Sequence, residues 1–244
     1  MTVAIIPSRY GSSRLEGKPL IPVRGKPLIQ RVYEQAMKSE SVTRAFVATD
    51  DDRIVKAVQS FGGQAVMTSG KCRSGTDRVA ECACLLDLPD EEIIANIQGD
   101  QPVFNPMTID ELIAPFSRDP RVNMTTLAFR ILDEREITDP KDIKTVFDRN
   151  GFALYFSRAQ IPYPRDGQKD VAYYKHLGFY AYRKHFLDQF ADLAQGEYEN
   201  VEKLEQLRIL EFGYRIKVVV TEFDSPEIDL PEDIRRIEKK LSLT

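Results

Sequence analysis

Val3-Ala4-Ile5-Ile6-Pro7 is an uninterrupted apolar run, and Ser8-Arg9-Tyr10-Gly11-Ser12-Ser13-Arg14-Leu15-Glu16-Gly17-Lys18 follows it without apolar periodicity. A short apolar run ended by a polar, glycine-containing segment reads as a buried strand followed by a loop. Pro27 suits a first helical turn, and Leu28, Ile29, Val32, Tyr33, Ala36 and Met37 then recur at helical spacing. The same alternation continues downstream. Residues 44–49 predict a second strand, and one of Asp50, Asp51 and Asp52 can cap the helix carrying Ile54, Val55 and Val58. Residues 64–68 predict a third strand, 79–86 a helix and 93–97 a fourth strand. Strands alternating with helices at this spacing predict a mainly parallel sheet with helices on both faces.

The second half is less regular. Residues 124–129, 145–148, 152–156, 173–182 and 216–221 read as strands, with Arg149-Asn150-Gly151 a hairpin turn. Residues 202–212 and 231–241 read as helices. The expected fold class is therefore α/β: one domain over 1–244 with a mainly parallel central sheet and an antiparallel insertion at about 145–185.

Composition excludes several classes. Hydrophobic residues make up 42% and charged residues 30% of 244, which supports a sizeable core and argues against disorder. A formal net charge of -4 argues against a nucleic-acid binder, as does the lack of interleaved aromatic and basic residues. Cys82 and Cys84 have no second Cys or His pair to complete a zinc site, and His176 and His185 are the only histidines. A Cys/His protease is excluded on the same ground. The apolar start is too short for a signal peptide and no run reaches the roughly 20 apolar residues of a membrane helix, so the protein is expected to be cytoplasmic.

In an open parallel sheet, ligands bind beyond the carboxyl ends of the strands. Three polar segments fall there. The loop after the first strand offers glycines for close backbone approach and Arg9, Arg14 and Lys18 to neutralise phosphate. It is not a P-loop, because the Gly11–Gly17 gap is one residue too long and Pro19 follows the lysine. The second segment, Lys71-Cys72-Arg73-Ser74-Gly75-Thr76-Asp77-Arg78, opens a helix; Ser74 or Thr76 is either its cap or part of a ligand loop. The third is Gln98-Gly99-Asp100-Gln101-Pro102, where Asp100 is either a turn residue or a Mg²⁺ ligand. Together, phosphate clamps, a helix N-terminus and a carboxylate imply nucleotide chemistry without a covalent protein intermediate, and leave the nucleotide open.

These segments resemble the sugar-acid cytidylyltransferases. The resemblance rests on Ile5-Ile6-Pro7-Ser8-Arg9, Ser13-Arg14-Leu15-Glu16-Gly17-Lys18-Pro19-Leu20, Val47-Ala48-Thr49-Asp50, Ser74-Gly75-Thr76-Asp77-Arg78 and Asn96-Ile97-Gln98-Gly99-Asp100. It continues through Ala153-Leu154-Tyr155-Phe156-Ser157-Arg158, Lys175-His176-Leu177-Gly178, Leu204-Glu205-Gln206-Leu207-Arg208 and Asp229, Pro231, Glu232 and Asp233. Within that group the chain is similar to the 3-deoxy-manno-octulosonate (Kdo) cytidylyltransferases, which implies a nucleotide-diphospho-sugar transferase-like fold, CTP and a 3-deoxy-octulosonate as substrates, and Mg²⁺. It also implies a homodimer, a role in lipopolysaccharide biosynthesis, and dimerisation or sugar binding for the insertion.

The resemblance assigns residues too. Lys18, Arg14, Asp100 and Asp229 are implied as catalytic, with Asp100 and Asp229 on the metal. Arg9, Ser12, Arg73, Ser74 and Arg78 are implied on the nucleotide. Gln98, Arg158, His176, Tyr180, Glu202, Glu205 and Gln206 are implied in the sugar-acid pocket, with Arg158 pairing the substrate carboxylate. His176 reads equally as a hydrogen-bonded core histidine. Three positions depart from the family's pattern: Gln101 where Glu is usual, Cys72 in a polar stretch, and Leu230 where Thr is usual. The same reaction on the 8-amino sugar acid and a catalytically silent nucleotide-binding protein are the alternatives.

Overall fold

The computed structural model describes residues 2–11, 15–168 and 170–242. Nine strands form one sheet in the order β11-β7-β10-β6-β1-β4-β5, with β8 and β9 attached through β10. At its centre lies β1 (Thr2–Ser8), parallel to β4 (Arg44–Thr49) and β6 (Ile93–Asn96). β5 (Ala65–Met67) extends the parallel half. On the other side β7 (Met124–Arg130) pairs parallel with β11 (Lys217–Thr221), while β10 (Tyr174–Arg183) runs antiparallel to both β6 and β7. β10 is thus an inner strand of the main sheet. The expected hairpin is present as β8 (Lys144–Phe147) and β9 (Ala153–Ser157), with Gly151 at φ +74° in the turn. Pro22–Val23 (β2) and Lys26–Pro27 (β3) form a separate short ribbon.

The period of two along β1 divides the core. Val3 and Ile5 face a cluster with Val79 and Cys82 of α3 (Gly75–Leu85), Phe186 of α6 (Lys184–Asp192) and Leu207 of α8 (Gln206–Glu211). Ala4 and Ile6 face Ile29 and Val32 of α1 (Leu28–Ala36), Ile54 and Val58 of α2 (Asp52–Ser60) and Leu112 of α4 (Met107–Arg118). Alternate side chains on a strand point to opposite faces, so one buried strand needs apolar residues at every position.

Some local expectations are corrected. Pro27 lies in β3 and caps α1 from outside it. α3 begins at Gly75, four residues before its apolar pattern, because Ser74 accepts the Asp77 amide at 3.1 Å. The single helix expected over 202–212 is two: α7 (Glu197–Glu202) and α8, broken where Lys203 turns to φ +55°. Glu202 explains the break. Its carboxylate accepts from the Ser157 hydroxyl at 2.6 Å and the Arg158 amide at 2.9 Å, and its carbonyl accepts from Arg158 Nε at 2.7 Å. Among the described residues the remaining helical elements are α5 (Glu134–Thr138), α9 (Pro231–Lys240) and a 3-10 turn over Lys18–Leu20. Among the described residues no helix is long and apolar enough to cross a membrane.

Candidate active site

The strand ends of β1 and β6 place two polar segments side by side. Gly99 follows β6, and a Cβ there would meet Ser8 Oγ at 3.0 Å and the Pro7 carbonyl at 3.1 Å. Only glycine lets the 98–101 turn pack this closely against the end of β1. The turn carries Asp100 to Lys18, whose ammonium donates to Asp100 Oδ2 at 2.8 Å and to Asp229 Oδ1 at 2.9 Å. Residues 18, 100 and 229, far apart in the chain, are therefore one cluster. Burial pulls the Lys18 pKa down, but the two carboxylates outweigh it and the amine stays protonated with a raised pKa.

Asp229 is positioned by α9. The Asp233 carboxylate accepts the amides of Asp229 at 3.0 Å and Leu230 at 2.9 Å, a capping interaction at the helix start. Leu230, which departs from the usual Thr, gives α9 no side-chain cap, and the Asp233 amide donates to the Leu230 carbonyl at 3.0 Å.

Two cavities meet at this cluster. The smaller, about 290 Å³, is lined by Ser8, Arg9, Lys18, Cys72, Arg73, Ser74, Gly75, Arg78, Gln98, Asp100 and Asp229, among others. It thus gathers five of the residues expected for the nucleotide and its phosphates, at the open N-terminus of α3; Ser12 and Arg14 lie outside the described residues. Arg78 is buried and already engaged, donating to Thr68 Oγ1 at 2.6 Å and Asp50 Oδ2 at 2.8 Å. Arg73 donates to Asp77 at 3.2 Å. Cys72 lines the wall, its thiol 3.0 Å from Glu81; burial, then that carboxylate, pushes it up to about 11, so it is an inert wall residue. Ser8, absent from the site residues expected from sequence, has a buried hydroxyl with no hydrogen-bond partner among the described residues. Its position at the end of the first strand was the signal for it.

The larger cavity, about 610 Å³, shares Gln98 and Asp100 with the first and is lined by His176, Tyr180, Glu205 and Gln206 from the expected sugar-acid set. Tyr180 donates to Gln206 Oε1 at 3.0 Å, leaving the buried Gln206 Nε2 unpartnered among the described residues. That amide is available to a ligand oxygen. His176 has the hydrogen bond of a core histidine and also borders the cavity. It lines the cavity, and its Nε2 lies 2.8 Å from Thr126 Oγ1, between the rings of Phe156 and Tyr180. Burial lowers its pKa to about 3, so the ring is neutral. Burial raises that of Glu205, although Thr76 donates to it at 2.6 Å.

Arg158 and Glu202 are not brought to the cavity lining. The Arg158 guanidinium donates to the carbonyls of Glu202 at 2.7 Å and Pro140 at 2.9 Å, and Glu202 binds Ser157 and the Arg158 amide. They brace β9 against α7. The cavity's cations are instead Arg135, Lys141, Lys175, Lys203 and Arg236. Lys175 is paired with Glu136 at 2.8 Å and Asp224 at 3.2 Å. Glu227, also unanticipated, faces this cavity with Lys141 3.7 Å away. Burial, followed by the charges of Asp100 and Asp229, raises it to about 7.

A strand-end site with a cationic cavity at a helix start, joined through a carboxylate to a second polar cavity, is the arrangement of a nucleotidyltransferase. The chain belongs to the cytidylyltransferase family, whose model matches residues 3–217. It is 62% identical to the 3-deoxy-manno-octulosonate cytidylyltransferase of Desulfatibacillum aliphaticivorans over 98% of each chain. It is 52% identical to the 8-amino-3,8-dideoxy-manno-octulosonate cytidylyltransferase of Shewanella frigidimarina, again over 98% of each. Among solved structures it superposes on a CMP:2-keto-3-deoxy-manno-octonic acid synthetase complexed with CTP, with TM-score 0.93 and 40% identity over 99% of this chain and 98% of that one. A 4-diphosphocytidyl-2C-methyl-D-erythritol synthase shares the fold at TM-score 0.66 and 13% identity, covering 98% of this chain and 97% of its own.

Proposed function

We propose that this enzyme transfers CMP from CTP to 3-deoxy-D-manno-octulosonate, giving CMP-Kdo and pyrophosphate. The observation that carries this reading is the junction of the two cavities. Asp100 and Gln98 belong to both, and Lys18 stands at the boundary between them. A triphosphate in the smaller cavity then presents its α-phosphorus to a sugar hydroxyl in the larger one. The anomeric oxygen attacks in line as its proton passes to solvent, the bond from the α-phosphorus to the bridging oxygen breaks, and pyrophosphate leaves toward Lys18 and Arg9. Catalysis is chiefly positioning and charge neutralisation, without a covalent enzyme intermediate.

The residues fit a magnesium ion. Two carboxylate oxygens already converge on a single cation, the Lys18 ammonium. Among the described residues no cluster of three or more Asp, Glu, His or Cys could hold a metal. Asp100 and Asp229 would therefore hold Mg²⁺ together with phosphate and water oxygens, as this ion prefers. When bound it supplies charge neutralisation at the phosphates.

The Gln206 amide and Tyr180 are suited to sugar hydroxyls, with His176 a neutral partner. A homodimer is part of this reading. Among the described residues β9 pairs as a strand only with β8; beyond Ala153, whose amide donates to the Ile216 carbonyl at 2.9 Å, its other edge has no strand partner, and Leu154 is exposed. Such an edge is suited to a second copy, which gives the segment at about 145–185 its role in dimerisation. Synthesis of an activated sugar acid for lipopolysaccharide, in the cytoplasm, is the physiological setting we infer.

The 8-amino sugar acid is the second reading, favoured by Glu227, whose carboxylate faces the sugar cavity and could pair an ammonium. Pyrophosphate release from CTP and Mg²⁺, measured with each octulosonate in parallel, decides between them. Faster turnover of the 8-hydroxy acid supports the first reading, faster turnover of the 8-amino acid the second, and release with neither refutes both.

A further inference from the structure

Asp100 sits in a turn between two glutamines, and both glutamine side chains point at the same irregularity in β10. The pairing of β10 with β7 shifts register between His176 and Tyr180, and Gly178 in that bulge has φ +76°. Two bulge carbonyls are exposed by the shift. Gln98 Nε2 donates to the Gly178 carbonyl at 2.7 Å, and Gln101 Nε2 donates to the Leu177 carbonyl at 2.8 Å. Gln101 is buried, and its remaining oxygen accepts from the Ser225 hydroxyl at 2.7 Å. Three residues on, the Ile228 amide donates to the Asp100 carbonyl at 2.9 Å. The Asp229 segment is therefore clipped to the Asp100 turn at two points, one through the Gln101 side chain.

We infer that Gln101 is a positioning residue that sets the separation of Asp100 and Asp229 by locking the Asp100 turn to the β10 bulge and to Ser225. The inference rests on the proposed reaction and its metal. The chemistry requires an amide at this place, because one neighbour is an acceptor and the other a donor. A carboxylate has no N–H for the Leu177 carbonyl and would set two oxygens against each other in a buried site. This gives a physical reason for glutamine in a position where glutamate is usual in the resemblance. The Gln101 side chain bonds Leu177 and Ser225 and not Lys18, Asp100 or Asp229, so, although it also lines the larger cavity, its influence on the two acids passes through the backbone of the turn.

The test uses two variants, Gln101→Glu and Ser225→Ala, which break the bracket at different ends. Mn²⁺ binding is measured by calorimetry with CTP present and sugar acid absent, so no turnover occurs. Loss of an outer partner of a metal ligand typically weakens metal binding about 10- to 100-fold. We expect about 10-fold weaker Mn²⁺ binding in Gln101→Glu and a smaller loss in Ser225→Ala, with kcat falling in the same order and KM for CTP within about twofold of wild type. Should Gln101→Glu fail to fold, Ser225→Ala decides alone. Wild-type Mn²⁺ affinity and kcat in the folded variants would overturn the inference, as would a loss confined to KM. If the wild-type enzyme itself binds no Mn²⁺, the metal reading fails and the kcat-against-KM split judges Gln101. If the wild type turns over neither sugar acid, the proposed reaction fails while Mn²⁺ binding still judges Gln101.

Discussion

The Thr76 hydroxyl donates a 2.6 Å hydrogen bond to the Glu205 carboxylate, joining the first turn of α3 at the smaller cavity to the start of α8 at the larger one. Thr76 is buried, and burial holds the Glu205 pKa above the usual carboxylate range. Removing the donor leaves a half-buried carboxylate with less support. Thr76→Val should destabilise the fold by about 1–3 kcal/mol, while Thr76→Ser should recover most of the loss. Urea unfolding of the three proteins at pH 7 measures it; equal midpoints for Val and wild type would show that the bond contributes nothing.

Lys18 and Asp100 carry a second expectation. Asp100→Asn keeps the shape of the side chain and removes a charge that fold stability does not require, since Asp229 still pairs with Lys18. Turnover should fall about 10²- to 10³-fold, the range for losing one group that stabilises charge in a transition state. The melting midpoint should stay within a few degrees of wild type. Turnover close to wild type would remove Asp100 from the mechanism.

Legibility in the sequence followed how local each feature is. β1, β4 and β6 were readable because strands buried on both faces are continuous apolar runs, and the loops after them were readable because polar residues replace those runs abruptly. Lys18, Asp100 and Ser74 came from the same logic. Features made by distant segments were not readable. Lys203 ends a helix in the left-handed region only because Glu202 is bound by Ser157 and Arg158 from another strand. Arg158 reads as a free cation in the sequence, yet the carbonyls of Pro140 and Glu202 already occupy it. Glu227 looks like an ordinary loop acid until the fold sets it beside Asp100 and Asp229.

His176 provides a pH prediction. Burial lowers its pKa to about 3 from an ordinary value of 6.5, so the folded protein binds that proton less tightly than the unfolded chain does. Its contribution to stability is complete above pH 6.5 and declines as the pH falls from 6.5 toward 3. Two measurements check this. The His176 ring resonances should not shift between pH 5 and 8, and His176→Gln should lose less stability than wild type between pH 6.5 and 4.5. A ring that titrates near 6.5 would contradict the neutral assignment.

Arg208 and Glu199 form a buried ion pair behind the segment that lines the larger cavity through Glu205 and Gln206. The guanidinium donates from Nη2 to Glu199 Oε1 at 2.5 Å and from Nε to Oε2 at 2.8 Å, with side-chain exposures of only 3% and 7%. The pair joins α8 to α7, and the Arg208 guanidinium also lies 5.0 Å from the centre of the Phe190 ring. Breaking one side of such a pair leaves an uncompensated buried charge, at a cost of about 3–5 kcal/mol. Arg208→Met should therefore lower stability by that amount and, because Glu205 and Gln206 begin the same helix, raise KM for the sugar acid more than KM for CTP. Replacing both partners removes the stranded charge, so Arg208→Met combined with Glu199→Leu should be more stable than Arg208→Met alone, even though Glu199 also accepts the Gly196 amide at 3.0 Å. Chemical denaturation of the single and double variants decides the point: additive losses would show that the two charges act independently and that the junction of α7 and α8 is held by apolar packing instead.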